Sequence, residues 1–142
     1  IVSERFTLLI MKTKSFKEVM QRFREIEFHE NFDMIVAIAN GGIIPATIIN
    51  QRLNTEIQLL KISLRDNNQQ KKYNSPKLVA PIDFNFKNKT ILLVEDRVKT
   101  GATLQFAMEL LHGAKLIKTF AVNGNADYAL YNEECFKFPW IL

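Results

Sequence analysis

The run MIVAIA, residues 34–39, constrains this chain more than any other segment. Six apolar residues with no polar alternation have the length of a strand, and a strand without a polar side has to be covered on both faces. Asn40-Gly41-Gly42 breaks the run, and Ile43 to Leu53 then reads as a helix. Pro45 falls in its first turn, where a missing N–H does no harm. A second apolar strand, Thr90 to Val94, stops at two acids. It is followed by Leu104, Met108 and Leu111 at helical spacing, and His112-Gly113 ends that helix. Further strands are expected at 56–64, at 116–122 and, after a polar NGNAD turn, near 128–131. Strands that alternate with helices in this way predict an α/β fold: a parallel central sheet flanked by helices, joined by right-handed crossovers.

The ends and one loop stand outside that alternation. Ser15 and Glu18 form a capping box, and Phe16, Val19, Met20, Phe23 and Ile26 predict an amphipathic helix over 16–29, with His29 in the last turn as a partner of the helix dipole. Before it, Met11 is either the start of the protein or preceded by a leading strand. Residues 65–77 are polar and aperiodic, so a long loop is expected there, of the kind that is functional or unstructured. The closing segment FKFPWIL is aromatic.

With 142 residues the chain is read as a single domain, 1–142. At 47% hydrophobic residues, with eleven Phe, disorder is excluded. The one cysteine, Cys135, excludes an internal disulfide, suits a reducing compartment such as the cytoplasm, and is expected to be a buried structural thiol. No apolar run approaches the roughly 18 residues of a membrane span, so no membrane partner is expected. The net charge of +4 is distributed among acids and shows no basic face. It suits a phosphorylated ligand rather than nucleic acid.

In an open parallel sheet, ligands bind beyond the carboxyl ends of the strands. Two loops lie there, 40–42 and 95–103. Thr100, Gly101, Ala102 and Thr103 open a helix, so free N–H groups, two hydroxyls and the positive dipole end converge as they would on a phosphate. Glu95 and Asp96 come just before. Carboxylates repel phosphate, so they either accept hydrogen bonds from neutral hydroxyls or face a metal ion. A sugar phosphate satisfies both halves. Taken singly, each half also reads as something plainer, a solvated strand end and an ordinary N-cap.

ILLVEDRVKTGATL closely resembles the signature of the type I phosphoribosyltransferases: a hydrophobic strand, two acids, a short variable stretch, then Thr-Gly-x-Thr. IVAIANGGIIPA, 35–46, resembles the pyrophosphate loop of the same family, and the polar stretch between the two motifs falls where the family has a flexible catalytic loop. The likeness spans about residues 33–140 and is greatest to the small xanthine, hypoxanthine and guanine enzymes. It implies a transfer of ribose 5-phosphate from phosphoribosyl pyrophosphate to a purine-like base, releasing pyrophosphate with the help of Mg²⁺, in a homodimer serving purine salvage. Glu95 and Asp96 would bind the ribose hydroxyls and face Mg²⁺, mostly through water. Thr100, Gly101, Ala102 and Thr103 would cradle the 5′-phosphate. Asn40, Gly41 and Gly42 would meet the pyrophosphate, often through a non-proline cis peptide. Acids under the ring and cations at the leaving group suit a reaction that builds positive charge on the ribose and negative charge on pyrophosphate. Lys61, Arg65, Lys71 and Lys72 are placed to supply those cations, with Lys71 where the xanthine-guanine loop has an Arg; the same basic stretch also reads simply as a solvated loop. The ending Phe136-Lys-Phe-Pro139-Trp140 is similar to the hood of the small purine enzymes, about 123–142, which brings an aromatic ring over the base; Trp140 either stacks there or plugs a core edge.

Four positions depart from the family. Asn40 replaces a basic residue of the pyrophosphate loop. Arg97, before Val98 in the base-side stretch, replaces an aliphatic residue. Lys99 replaces the Asp that meets the purine near its nucleophilic nitrogen, and a cation cannot accept a proton there unless its pKa falls sharply. At the end of the strand that begins near Lys115, Val122 and Asn123 stand where purine enzymes place a Lys for the 6-oxo group. Lys99 thus faces an oxo or acidic group on an unusual base, or Arg97 and Lys99 both point to solvent, and a second reading is open: a non-catalytic or regulatory protein that keeps only the sugar-phosphate site.

Overall fold

The structure, a computed structural model, describes residues 12–63 and 75–142. Its main sheet has six strands: β2 (Met34–Ala39), β3 (Glu56–Ser63), β4 (Lys77–Leu78), β5 (Thr90–Arg97), β6 (Leu116–Asn123) and β7 (Tyr128–Tyr131). They lie in the order β4-β3-β2-β5-β6-β7. All pairings are parallel except β3 with β4, a two-residue antiparallel addition at the edge. The helices are α1 (Phe16–Glu25), α2 (Ile43–Leu53) and α3 (Ala102–Leu110), and β1 (Lys12–Thr13) pairs with β8 (Phe136–Lys137) in a separate two-stranded sheet.

MIVAIA is buried along its whole length because alternate residues feed two cores. Ile35 and Ala37 join Leu92, Val94, Phe120 and Val122 under Val19 and Phe23 of α1 and Ala46 and Ile49 of α2. Met34, Val36 and Ile38 join Leu60, Ile91 and Leu93 under Leu104, Ala107 and Leu111 on the side of α3. Burying each large side chain contributes about 1.5–3 kcal/mol, so the sheet is held chiefly by this double cover.

Three expectations are corrected. The first helix stops at Glu25, not His29, because the chain turns extended at Ile26 (ψ 134°). Arg52 caps the helix there, donating to the carbonyls of Phe23 and Ile26. Extension also carries Phe28 into an aromatic cluster with Phe32, Phe120 and Tyr128. The strand expected to end at Val94 continues to Arg97, held by pairing with β6. Cys135 is exposed rather than buried, since it follows the surface turn 132–134 and the aromatic burial begins only at Phe136. The question about residues 1–10 lies outside the described residues, as does most of the loop 65–77; its last residue, Lys77, opens β4.

Candidate active site

The chain leaves β2 toward β3 on one side and β5 toward β6 on the other, so the sheet order reverses between β2 and β5. A crevice beyond their carboxyl ends follows from that reversal. The loops 40–42 and 98–101 flank it. The Ala39–Asn40 peptide is cis. Asn40 and Gly41 are exposed and Gly42 is buried.

Both glycines sit at a close approach, Gly42 against backbone and Gly41 against a side chain. A Cβ on Gly41 would lie 2.6 Å from Oδ2 of Asp96, and one on Gly42 would lie 2.3 Å from the carbonyl oxygen of Val94. The Asp96 carboxyl therefore rests on the backbone of the 40–42 loop. Its Oδ1 accepts from the backbone N–H of Arg97 at 2.6 Å, while Glu95 Oε1 accepts from the N–H of Asp96 at 2.9 Å. Burial, and next the negative charge of Asp96, hold the Glu95 carboxyl well above the usual carboxylate range. Two adjacent acids, the buried one with its pKa raised by burial and by its neighbour's charge, are a donor set suited to a divalent cation. Among the described residues no three His, Cys, Asp or Glu side chains come together, so any such ion would depend on substrate oxygens and water for the rest of its shell.

Glu95, Arg97, Val98, Lys99, Thr100, Gly101, Ala102, Thr103 and Leu104 line one open cavity of about 330 Å³. Gly101 has φ +85° and nothing within 4 Å of where a Cβ would be, so the start of α3 is bare backbone facing open space. Thr100 Oγ1 accepts from the N–H of Ala102 at 3.2 Å, fixing the turn. Such an opening is what a phosphate needs. Lys99 is exposed at the rim of this cavity.

Not every expected site residue meets the others. Asp96 faces Gly41, and neither it nor Asn40, Gly41, Gly42 or Trp140 lines the cavity. Trp140 is stacked on Phe138 (5.2 Å between centroids, 18°) and lies against Phe23, so its ring packs on the core. Lys71, with Arg65 and Lys72, lies outside the described residues. Lys61, exposed, pairs in register with Ala39, one residue from Asn40.

Arg97 and Asn123 carry contacts that the linear pattern does not reveal. Asn123, 3% exposed, accepts from the N–H of Glu133 (3.0 Å) and donates to the carbonyls of Glu133 (3.2 Å) and Glu134 (3.3 Å), so its amide is spent on the turn before β8. Arg97 is paired in register with Asn123. Its Nη2 donates to the carbonyl of Phe136 at 2.8 Å, and its guanidinium lies 4.6 Å from the Phe138 ring centre. The expectation of Arg97 pointing to solvent is thus corrected: the Phe136 carbonyl and the Phe138 ring hold it inward. The only sequence signal for this was a cation in an aliphatic position upstream of an aromatic tail.

A sheet with its reversal between β2 and β5, a bare helix start and a preceding acid pair place this chain among α/β proteins with a ligand crevice at the topological switch point. The chain belongs to the phosphoribosyl transferase domain family, whose model matches residues 11–138. That makes it a glycosyltransferase-type enzyme by class. It is similar to a xanthine-guanine phosphoribosyltransferase of Idiomarina loihiensis, at 25% identity over 118 residues, 78% of this chain and 72% of that protein. In fold it is similar to a purine phosphoribosyltransferase of Pyrococcus horikoshii (TM-score 0.72, 24% identity, 91% of this chain and 92% of that one). A hypoxanthine phosphoribosyltransferase of Staphylococcus aureus has the same fold (TM-score 0.68, 16% identity, 91% and 80%). None of the helices described is long and apolar enough to cross a membrane.

Proposed function

We propose that this protein transfers ribose 5-phosphate from phosphoribosyl pyrophosphate to a purine-like base, releasing pyrophosphate. The observation that carries the reading is the continuity of one cavity from Glu95 to the bare start of α3. Thr100, Gly101, Ala102 and Thr103 bind the 5′-phosphate, and Glu95 and Asp96 accept from the ribose hydroxyls. Asp96 is set in place by its rest on Gly41. Asn40, Gly41 and Gly42, with Lys61 and Lys71, take the pyrophosphate end, while Val98, Arg97 and Lys99 belong to the base side; Trp140, packed on Phe138 and Phe23, takes the core-edge role rather than the stacking one. The relative in Idiomarina supports a purine acceptor. Mg²⁺, held by Glu95 and Asp96 mainly through water, would supply countercharge for the departing pyrophosphate. A single domain with a flexible loop at 65–77 and a hood at 123–142, a homodimer in the cytoplasm, and a role in purine salvage complete the reading.

As the C1–O bond to pyrophosphate weakens, positive charge grows on the ribose, and carboxylates beneath it stabilise that charge. With the exposed Lys99 standing where the resembled enzymes have an Asp carboxylate, deprotonation of the base is left to solvent or to a base already anionic. Mixing the protein with phosphoribosyl pyrophosphate, Mg²⁺ and a panel of bases, and following pyrophosphate release, tests the proposal. Asp96→Asn should weaken sugar-phosphate binding, and Lys99→Asp should raise turnover of 6-oxopurines. The second reading, a non-catalytic binder, is favoured by two features, the uncharged, exposed Asn40 and Lys99 in place of an Asp. Micromolar binding of phosphoribosyl pyrophosphate without release on any base would select it.

A further inference from the structure

We propose that Arg97 is the residue that reads the base, through a paired oxygen and ring-nitrogen acceptor edge, so that the site takes an oxo-substituted purine and rejects an amino-substituted one. The inference rests on the sugar-phosphate reading above and adds a specificity determinant to it. A guanidinium has five N–H donors and no acceptor. Among the described residues only the Phe136 carbonyl takes one of them, and Nε is buried with no acceptor at all. Among the described residues no carboxylate pairs with this cation. Charged groups withdrawn from water are normally paired, so a half-buried Arg at the wall of a cavity, with one carbonyl and one ring for partners, leaves terminal N–H donors for a partner from outside the chain, the buried Nε not among them.

The geometry also fixes its orientation. Trp140 stacks on Phe138, Phe138 is 1% exposed, and the Arg97 guanidinium lies against the same Phe138 ring, so the cation ends a rigid aromatic column. A planar fork held in this way binds two neighbouring acceptors at once, as Arg does with the O6 and N7 of guanine. The 6-amino group of adenine is a donor and meets only donors. Asn123, the residue beside Arg97 across the β5–β6 pairing, cannot take over this reading because its amide is committed to Glu133 and Glu134. Arg97 also shares the cavity with Glu95 and Thr100–Thr103, so one ligand can reach both ends.

The test is a binding titration of the whole protein with ribose 5-phosphate, inosine monophosphate and adenosine monophosphate, for the wild type, Arg97→Leu and Arg97→Lys. The wild type is expected to prefer the inosine nucleotide by at least about tenfold, the size of one good bidentate contact. Arg97→Leu should bring the ratio to near one, a ratio taken within each variant so that any general change in phosphate affinity cancels; Arg97→Lys should keep an intermediate ratio, having charge without the fork. Trp140 is the single tryptophan, and its fluorescence reports whether the aromatic column survives each change. If Arg97→Leu does not fold, the same ratio is read from Arg97→Lys alone. An undiminished inosine preference in the variants would reduce Arg97 to a pin for the aromatic tail and overturn the inference while leaving the enzyme reading intact. A wild type that fails to bind ribose 5-phosphate would overturn the sugar-phosphate reading and this inference with it.

Discussion

At the residue scale, Gly41 and Asp96 are a matched pair. Only a missing Cβ lets the carboxyl rest on the loop, since an added methyl would stand 2.6 Å from Oδ2. In Gly41→Ala the side that yields is the end of the Asp96 side chain, not the backbone. Stability should change little, while ribose 5-phosphate should bind about ten- to a hundredfold more weakly, the cost of losing one or two charge-assisted hydrogen bonds. Calorimetric titration beside a melting curve separates the two effects. Glu95 makes a second prediction with a definite sign. Its pKa is higher folded than unfolded, so the native state holds more protons, and stability is greatest below the ordinary value of 4.5 and declines as pH rises above it. Glu95→Gln removes that penalty. Its urea midpoint should match the wild type near pH 4 and exceed it increasingly toward pH 7, with sugar-phosphate binding lost. The acids and the Thr-Gly-Ala-Thr turn were legible in the sequence because each lies in a local pattern with a local physical reason. Arg97 was not, because what holds it, Phe136 and Phe138, lies about forty residues further along the chain.

At the scale of elements, boundaries were legible wherever local signals set them and missed wherever distant contacts did. α2 and β2 begin and end at the residues that the apolar run, the Gly pair and Pro45 dictate. α1 ends early for a reason its own sequence does not contain: Arg52, on another helix, takes its last carbonyls. β5 likewise outruns its apolar segment because β6 continues to pair with it as far as Asn123. That residue ties the end of β6 to the segment leading into β8. Asn123→Ala deletes three hydrogen bonds at a buried position. The loss should be about 1–3 kcal/mol, a fall in Tm of roughly 3–10 °C for a domain of this size. Hydrogen exchange should quicken first at residues 133–138; uniform loss of protection along the chain would show that this turn is not a separate unit.

For the whole molecule, the sheet order follows from the covering requirement of its central strands. Once MIVAIA and ILLV each needed helices on both faces, a parallel sheet with its crevice between β2 and β5 was the economical solution; the antiparallel edge β4 was not foreseeable from two residues. The same crevice makes a prediction about ligand-linked stability. A ligand that binds only the native state adds about 2.7 kcal/mol when present at 100 times its Kd, which for a chain this long is a rise in Tm of roughly 5–10 °C. Phosphoribosyl pyrophosphate with Mg²⁺ should produce that rise, and chelation of the metal should remove much of it. Mg²⁺ alone should do little, because Glu95 and Asp96 are the only acids at this crevice among the described residues and no third acid joins them. With Asp96→Asn, the rise with the full pair should fall by at least half, since one oxygen toward ribose and metal is lost. A large shift from Mg²⁺ alone would point to a metal cage independent of substrate, and an undiminished shift in Asp96→Asn would place the ligand elsewhere than against the acid pair.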